Sequence, residues 1–342
     1  MLTAGWPVPW GPWLGVARSL LALGTAGTLA FTSAGALFIP VPDRPESPYC
    51  DAASGLGVFC LVDKPYLDLV RWACVAVLLL VASGWQPRWT AIPHWWISFS
   101  VASSISVPDG GDHVTQVLVL LLVPVCLTDP RRWHWSPTPA PDIAAAATRV
   151  AVAVCLLVAI RIQVAGIYFQ SSVAKLSHAE WADGTALYYW LNHRTFGAPG
   201  WLQPVTDWMT DVPLLLAGLT WSPLVIEFAL AIAVLLPARV RLRLLPAGIV
   251  LHLGIAVTMG LWSFALAMFA AVVLLTIPFG AAWSAPADEF RAVADRLRPR
   301  RQEPQPTQQS KPVPEPSVPE STPAAEPGLV PEPQPALKSQ TA

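Results

Sequence analysis

The sequence predicts an all-α integral membrane protein with about eight transmembrane helices, one interfacial helix and a disordered C-terminal tail. Three observations carry this. The chain is 54% hydrophobic and only 13% charged, with mean hydropathy +0.49, whereas a soluble domain is about 25% charged. Its apolar residues gather into runs close to the roughly 20 residues that a bilayer core requires. The runs stop at Trp283, beyond which Pro, Glu, Gln, Ser and Thr dominate.

Taken in order, the first span is expected over Leu14–Ile39, followed by a polar loop holding Pro40, Pro42, Pro45 and Pro48. Leu67–Trp85, Ala91–Val107 and Asp112–Thr128 form the next three spans, and Ile143–Ser172 a fifth that is long enough to tilt or kink. Ser177–Leu191 reads as an amphipathic re-entrant or interfacial helix. Val212–Leu236, Leu244–Met259 and Leu261–Phe279 complete the set, the last two divided only by the turn near Gly260. Residues 14–283 therefore form a membrane domain, 286–301 a basic amphipathic segment on the membrane surface, and 302–342 a Pro-rich tail too polar to offset its ordering entropy. The N-terminus lacks the basic start of a cleaved signal peptide, and its apolar stretch exceeds the roughly 7–15 residues of a signal core.

Tryptophan and arginine give depth and direction. Many of the 17 tryptophans, among them Trp13, Trp85, Trp89, Trp133, Trp135, Trp201 and Trp283, stand at the ends of apolar runs, as an interfacial belt requires. With both termini in the cytoplasm, the inner loops hold Arg88, Arg131, Arg132, Arg239, Arg241, Arg243 and the cluster from Arg291 to Arg301. The outer loops hold only Arg44, Lys64, Lys175 and Arg194, so the positive-inside rule selects this orientation in a cell membrane. The formal net charge of −1 gives no electrostatic case for nucleic acid; the lipid bilayer is the expected partner.

Cys50 and Cys60 share the first outer loop, where oxidation persists, and their spacing closes a feasible disulfide. Cys74, Cys126 and Cys155 lie in apolar runs as small hydrophobes. Three ionisable residues fall near the middle of spans, where charge is costly: Arg161, Glu227 and His252. The economical arrangement is an Arg161–Glu227 ion pair with His252 beside it. Three readings stand: a pair that fixes the bundle, a polar pocket for a substrate or a quinone-like head group, or residues that lie at another depth than mid-run suggests. Arg18 and Arg71 lie nearer helix ends and are expected to snorkel.

A second group gathers at the outer face. The loop Asp109-Gly110-Gly111-Asp112-His113 opens the fourth span, with Asp112 as a candidate helix cap. Lys175 closes the fifth span and is followed by His178, Glu180, Trp181 and Asp183. A lysine in an apolar setting serves either as a snorkelling anchor or as a base. No zinc-protease, nucleophile-elbow, P-loop or dinucleotide motif appears, and the histidines are too scattered to argue a metal site.

The segment from Ile167 to Leu176 (IYFQSSVAKL), continued by Glu180 to Leu187 (EWADGTAL), resembles the signature of the HTTM superfamily, which contains the vitamin K-dependent gamma-carboxylases. Ala17 to Thr25 (ARSLLALGT) and the two-cysteine loop are more similar to one bacterial branch, the sporulation-delaying protein B family, associated with production of secreted antimicrobial peptides. The superfamily resemblance implies that Lys175 matches the lysine base that deprotonates a reduced quinone cofactor, and that His113 matches a catalytic-region histidine. Arg161, Glu227, His252, Trp181 and Asp183 become the candidate substrate-binding residues. Ala174 stands where the carboxylases carry a second lysine, and their large lumenal domain has no counterpart here. The branch resemblance implies a secreted precursor peptide and a small accessory protein as partners. The expectations are thus a peptide maturation or export factor, a quinol-dependent peptide-modifying enzyme, or a non-catalytic membrane partner or immunity component.

Overall fold

Eight helices of 15 residues or more dominate the computed structural model, which describes residues 8–42, 46–136 and 143–297. They are labelled α1 (Pro12–Phe31), α2 (Leu67–Ser83), α3 (Pro87–Ser104), α4 (Gly110–Thr128), α5 (Ile143–Leu176), α6 (Pro213–Ala231), α7 (Leu245–Met259) and α8 (Trp262–Thr276). No strand occurs among the described residues. Six stretches are long and apolar enough to cross a membrane: α1, α2 from Lys64, α4, α5 from Ala146, α6 to Leu235 and α7 from Ala238. The protein is therefore a multi-pass membrane protein. The expected tail, 302–342, together with Arg44, Arg298, Arg300 and Arg301, lies outside the described residues.

The 15-residue α8 is the central strut, packed on α1, α4, α5 and α7. Its buried Ala265, Ala267, Ala270 and Ala271 keep it slim, which lets several neighbours approach at once. Gly248 of α7 fits against Val272 of α8, where a Cβ would come within 2.9 Å of the valine methyls. A second core joins the far half of α1 to α2 and α3 through Leu29, Leu78 and Val101.

α3 is too polar to register as a span by composition, and its polar residues face inward: Thr90, His94, Ser98, Ser100 and Ser104 are all buried. Several hold the loop between α1 and α2. The Ser100 hydroxyl accepts from Val58 N at 2.9 Å, and the Ser104 carbonyl from Tyr49 N at 3.1 Å. Phe59 is fully buried against Phe38, with ring centroids 5.1 Å apart. The expected Cys50–Cys60 disulfide is formed, and it closes this loop over the same end of the bundle.

The first span breaks earlier than expected. α1 stops at Phe31, and a single helical turn, Ala34–Leu37, follows. Arg71 explains the break. Its guanidinium donates to the carbonyls of Leu29 and Thr32 at the end of α1, while Nε holds Asp68 at 2.8 Å. Arg71 is thus a buried cap on another helix rather than a snorkelling residue. Arg18 does not snorkel either: it is 2% exposed and donates to Thr90 Oγ1 at 2.6 Å. The expected interfacial helix resolves into two short helices, Ala179–Ala182 and Ala186–Leu191.

At the end opposite the disulfide, residues 129–136 after α4 fold back under the bundle. Asp129 and Arg131 pair at 2.7 Å with both side chains buried. His134 inserts between Gly15 of α1 and Gly84, the left-handed residue (φ +89°) that ends α2; a Cβ at either glycine would run into its imidazole. Burial, reinforced by Arg18 and Arg131, pushes the His134 pKa down to about 3.

Two outcomes are expected. Replacing Cys50 and Cys60 by serine should lower the stability of the folded chain by about 2–3 kcal/mol, the loop-closure value for a bridge of this span; thermal melting of the purified protein measures it. His134 titrates near 6.5 when unfolded, so the unfolded chain takes up the extra proton between that pH and about 3. Its contribution is intact above pH 6.5 and is lost as the pH falls toward 3. Melting midpoints should therefore drop more between pH 6.5 and pH 4 in the wild type than in His134→Gln.

Candidate functional site

The last three turns of α5 present Tyr168, Ser171, Ser172 and Lys175 at the i, i+3, i+4, i+7 spacing of one helix face. The face looks at α6 and α7. Lys175 Nζ donates to both carboxylate oxygens of Glu227 on α6, at 2.5 and 2.6 Å, and to Ser171 Oγ at 2.7 Å. Ser171 donates in turn to Glu227 Oε2 at 3.2 Å, which closes a three-residue ring. The Glu227 side chain is 6% exposed and that of Lys175 23%. The lysine is thus the accessible member and the carboxylate the buried one.

One layer deeper, Tyr168 Oη and His252 Nε2 of α7 share a hydrogen bond of 2.9 Å. Both residues are buried, and His252 Nδ1 has no partner among the described residues. The Phe264 ring of α8 meets the imidazole edge-on at 5.7 Å. Phe264 is held from α4: Gly111 approaches its backbone so closely that a Cβ there would lie 2.6 Å from Phe264 Cα, and Ser263 Oγ donates to Asp109 Oδ2 at 3.0 Å. The helix cap itself is Asp109, not Asp112. Asp109 Oδ1 accepts from Asp112 N at 2.8 Å, and Asp112 returns the bond to Asp109 N at 3.0 Å, forming a reciprocal capping box.

The roof comes from the segment after α5. The Trp181 ring lies 5.4 Å from Lys175 Nζ, within cation–π reach. Its carbonyl accepts from Trp221 Nε1 of α6 at 3.1 Å, and Leu187 N donates to Thr220 Oγ1 at 3.3 Å. A groove of about 370 Å³ is lined by Pro199, Trp201, Ala256 and Trp262, among others. Ala256 stands one turn beyond His252 on the same buried side of α7.

The structure therefore brings together Lys175, Glu227, His252 and Trp181, and adds Tyr168 and Ser171, whose roles the sequence had not assigned although both sit in the motif. Asp183 and His113 are exposed, and His113 has no side-chain bond to this group among the described residues. Arg161 is not part of the site and does not pair with Glu227. Its Nε and Nη2 donate to Leu274 O at 3.3 Å and Ile277 O at 2.6 Å, and the guanidinium lies 3.6 Å from the Phe279 ring centroid. It caps the end of α8. The reason is depth: α5 is 34 residues long, about 50 Å at 1.5 Å per residue, so the middle of its sequence is not the middle of the bilayer.

Among curated proteins, sporulation-delaying protein SdpB of Bacillus subtilis (strain 168) is 31% identical over 275 residues, covering 79% of this chain and 82% of SdpB. The chain belongs to the sporulation-delaying protein B family. The uncharacterized protein YitO of the same organism is 37% identical over 272 residues, covering 79% of this chain and 86% of YitO. No family model matches the chain, and no solved structure matches it.

The geometry sets which residues share energy in this member of the family. Double-mutant cycles on thermal stability should give a coupling between Lys175→Met and Glu227→Gln of about 1–3 kcal/mol. Arg161→Leu and Glu227→Gln should add within about 0.5 kcal/mol, because Arg161 bonds α8 carbonyls.

Proposed function

We propose that this chain is a membrane factor for maturation or export of a secreted peptide, acting through the Lys175–Glu227 centre on the face away from the cytoplasm. The observation that carries the reading is the site itself in a member of this family. A lysine closes the motif helix and is bonded to a buried carboxylate. It lies beneath one aromatic roof residue and above a buried Tyr168–His252 dyad. Ionisable groups at membrane depth are costly and mark working sites by default. Sidedness is supported by the arginine distribution and by the disulfide, which needs an oxidising compartment.

In this reading all eight long helices cross the bilayer, including the polar α3 and the short α8, and residues 14–283 form the working domain. The segment 179–191 lies at the outer interface, 286–301 lies on the inner surface, and the tail 302–342 is solvated. A secreted precursor peptide and a small accessory protein are the partners.

A second reading is favoured by the HTTM-like motif ending at Lys175: a quinol-linked peptide modification like that of the carboxylases. The centre would have to change before it could run that chemistry. A lysine bonded to a carboxylate donates a proton rather than accepting one until the pair is broken, and Ala174 replaces the second lysine.

Co-expression with a candidate small secreted precursor peptide tests both. Lys175→Ala should insert at wild-type level yet lower mature peptide output at least tenfold, read by mass spectrometry of the secreted product. Wild-type output from that variant would sink the proposal. A precursor mass gain of 44 Da that depends on Lys175 would select the carboxylase-like reading over export.

A further inference from the structure

We infer that Arg18 and His94 form a buried binding site for a small monovalent inorganic anion of halide size, separate from the Lys175 centre. Among the described residues no other arginine has an enclosed side-chain nitrogen without a hydrogen-bond partner. Arg71 and Arg161 donate to helix-terminal carbonyls. Arg131 holds both oxygens of Asp129 and the carbonyl of His134. Arg18 is different. Its Nη2 donates to Thr90 Oγ1, and its Nη1 is buried with no hydrogen-bond partner among the described residues. His94 Nε2, buried within electrostatic reach of Arg18, also has none.

The charge around this point does not balance. The groups facing Arg18 are Thr90 and His94 of α3, Cys126 at the end of α4, and Asp129 and His134 of the link that follows. Asp129 is the one carboxylate among them, and it is already shared edge-on with Arg131. Two guanidiniums therefore face one carboxylate in a region shut off from solvent. An isolated buried cation is costly unless it is paired and hydrogen-bonded. A water molecule would supply the missing acceptor but not the missing charge. A halide supplies both: it accepts from Arg18 Nη1–H and from His94 in its Nε2–H form, and it needs no directional lone pair.

The test uses the purified full-length protein in detergent, with sodium chloride exchanged for sodium gluconate at fixed ionic strength. Chloride should raise the melting midpoint with the logarithm of its concentration once above its Kd, by about 3–8 °C at about 100 times Kd, and gluconate should not. Arg18→Gln, which removes the charge, should abolish the response. Crystals grown in bromide should show an anomalous peak within about 3.5 Å of Arg18 Nη1, a readout that stands even where the variant does not fold. Equal melting in the two salts, a chloride response retained in Arg18→Gln, or the absence of a bromide peak at Arg18 would each overturn the site.

Discussion

The last carbonyls of a helix have no partner within the helix, and leaving such a group unpaired where water is excluded costs several kcal/mol. In this protein, arginine side chains from neighbouring helices supply the missing donors. Arg161 and Arg241 reach the last carbonyls of α8, and Arg71 reaches those of α1. The cation also complements the negative end of the helix dipole. This arrangement is what allows α8 to be only 15 residues long and still serve as the strut for four neighbours. The site depends on it in turn, because α8 carries Phe264 against His252 and is pinned at its other end by Asp109.

The same principle accounts for α3. A helix with five buried hydroxyl-bearing or imidazole side chains would be a poor span if those groups met lipid. They face protein instead. Ser100 and Ser104 hold the disulfide loop, Thr90 takes Arg18, and Ser98 bonds back to the His94 carbonyl. Hydropathy averages over all faces and does not register that the polar groups share the buried one.

That difference marks where the sequence was legible. The long apolar runs place the helices to within a few residues, except at the end of α1, which stops at Phe31 rather than Ile39, because length and hydrophobicity are local properties. Sequence order and redox compartment were enough for Cys50 and Cys60. Tertiary partners were not readable. Arg161 and Glu227 both lie mid-run, but mid-run equals mid-bilayer only when a helix matches the membrane thickness, and α5 far exceeds it. The charge count puts Lys175 with the outer loop, whereas α5 continues to Leu176 and the lysine pairs with Glu227. The capping aspartate was displaced for a similar reason: α4 starts at Gly110, before the apolar run does. The motif itself carries a tertiary signal. Tyr168, Ser171, Ser172 and Lys175 recur at i, i+3, i+4, i+7, a polar stripe on an otherwise apolar helix that had to face protein.

The hydrogen-bond count at Lys175 narrows what the centre can bind. An ammonium has three donors, and its near neighbours are three acceptors: two oxygens of Glu227 and the hydroxyl of Ser171. No donor is left for a ligand while the ring is closed. An incoming group must therefore either displace an acceptor or approach over the Trp181 face. The cheaper bond to give up is that to Ser171, which is neutral, since hydrogen bonds between charged partners are roughly twice as strong. A carbonyl or carboxylate could take that place while Glu227 stays bound. A donor or a cation could not. The centre can thus receive an acceptor at the exposed end of a pair whose other end is buried.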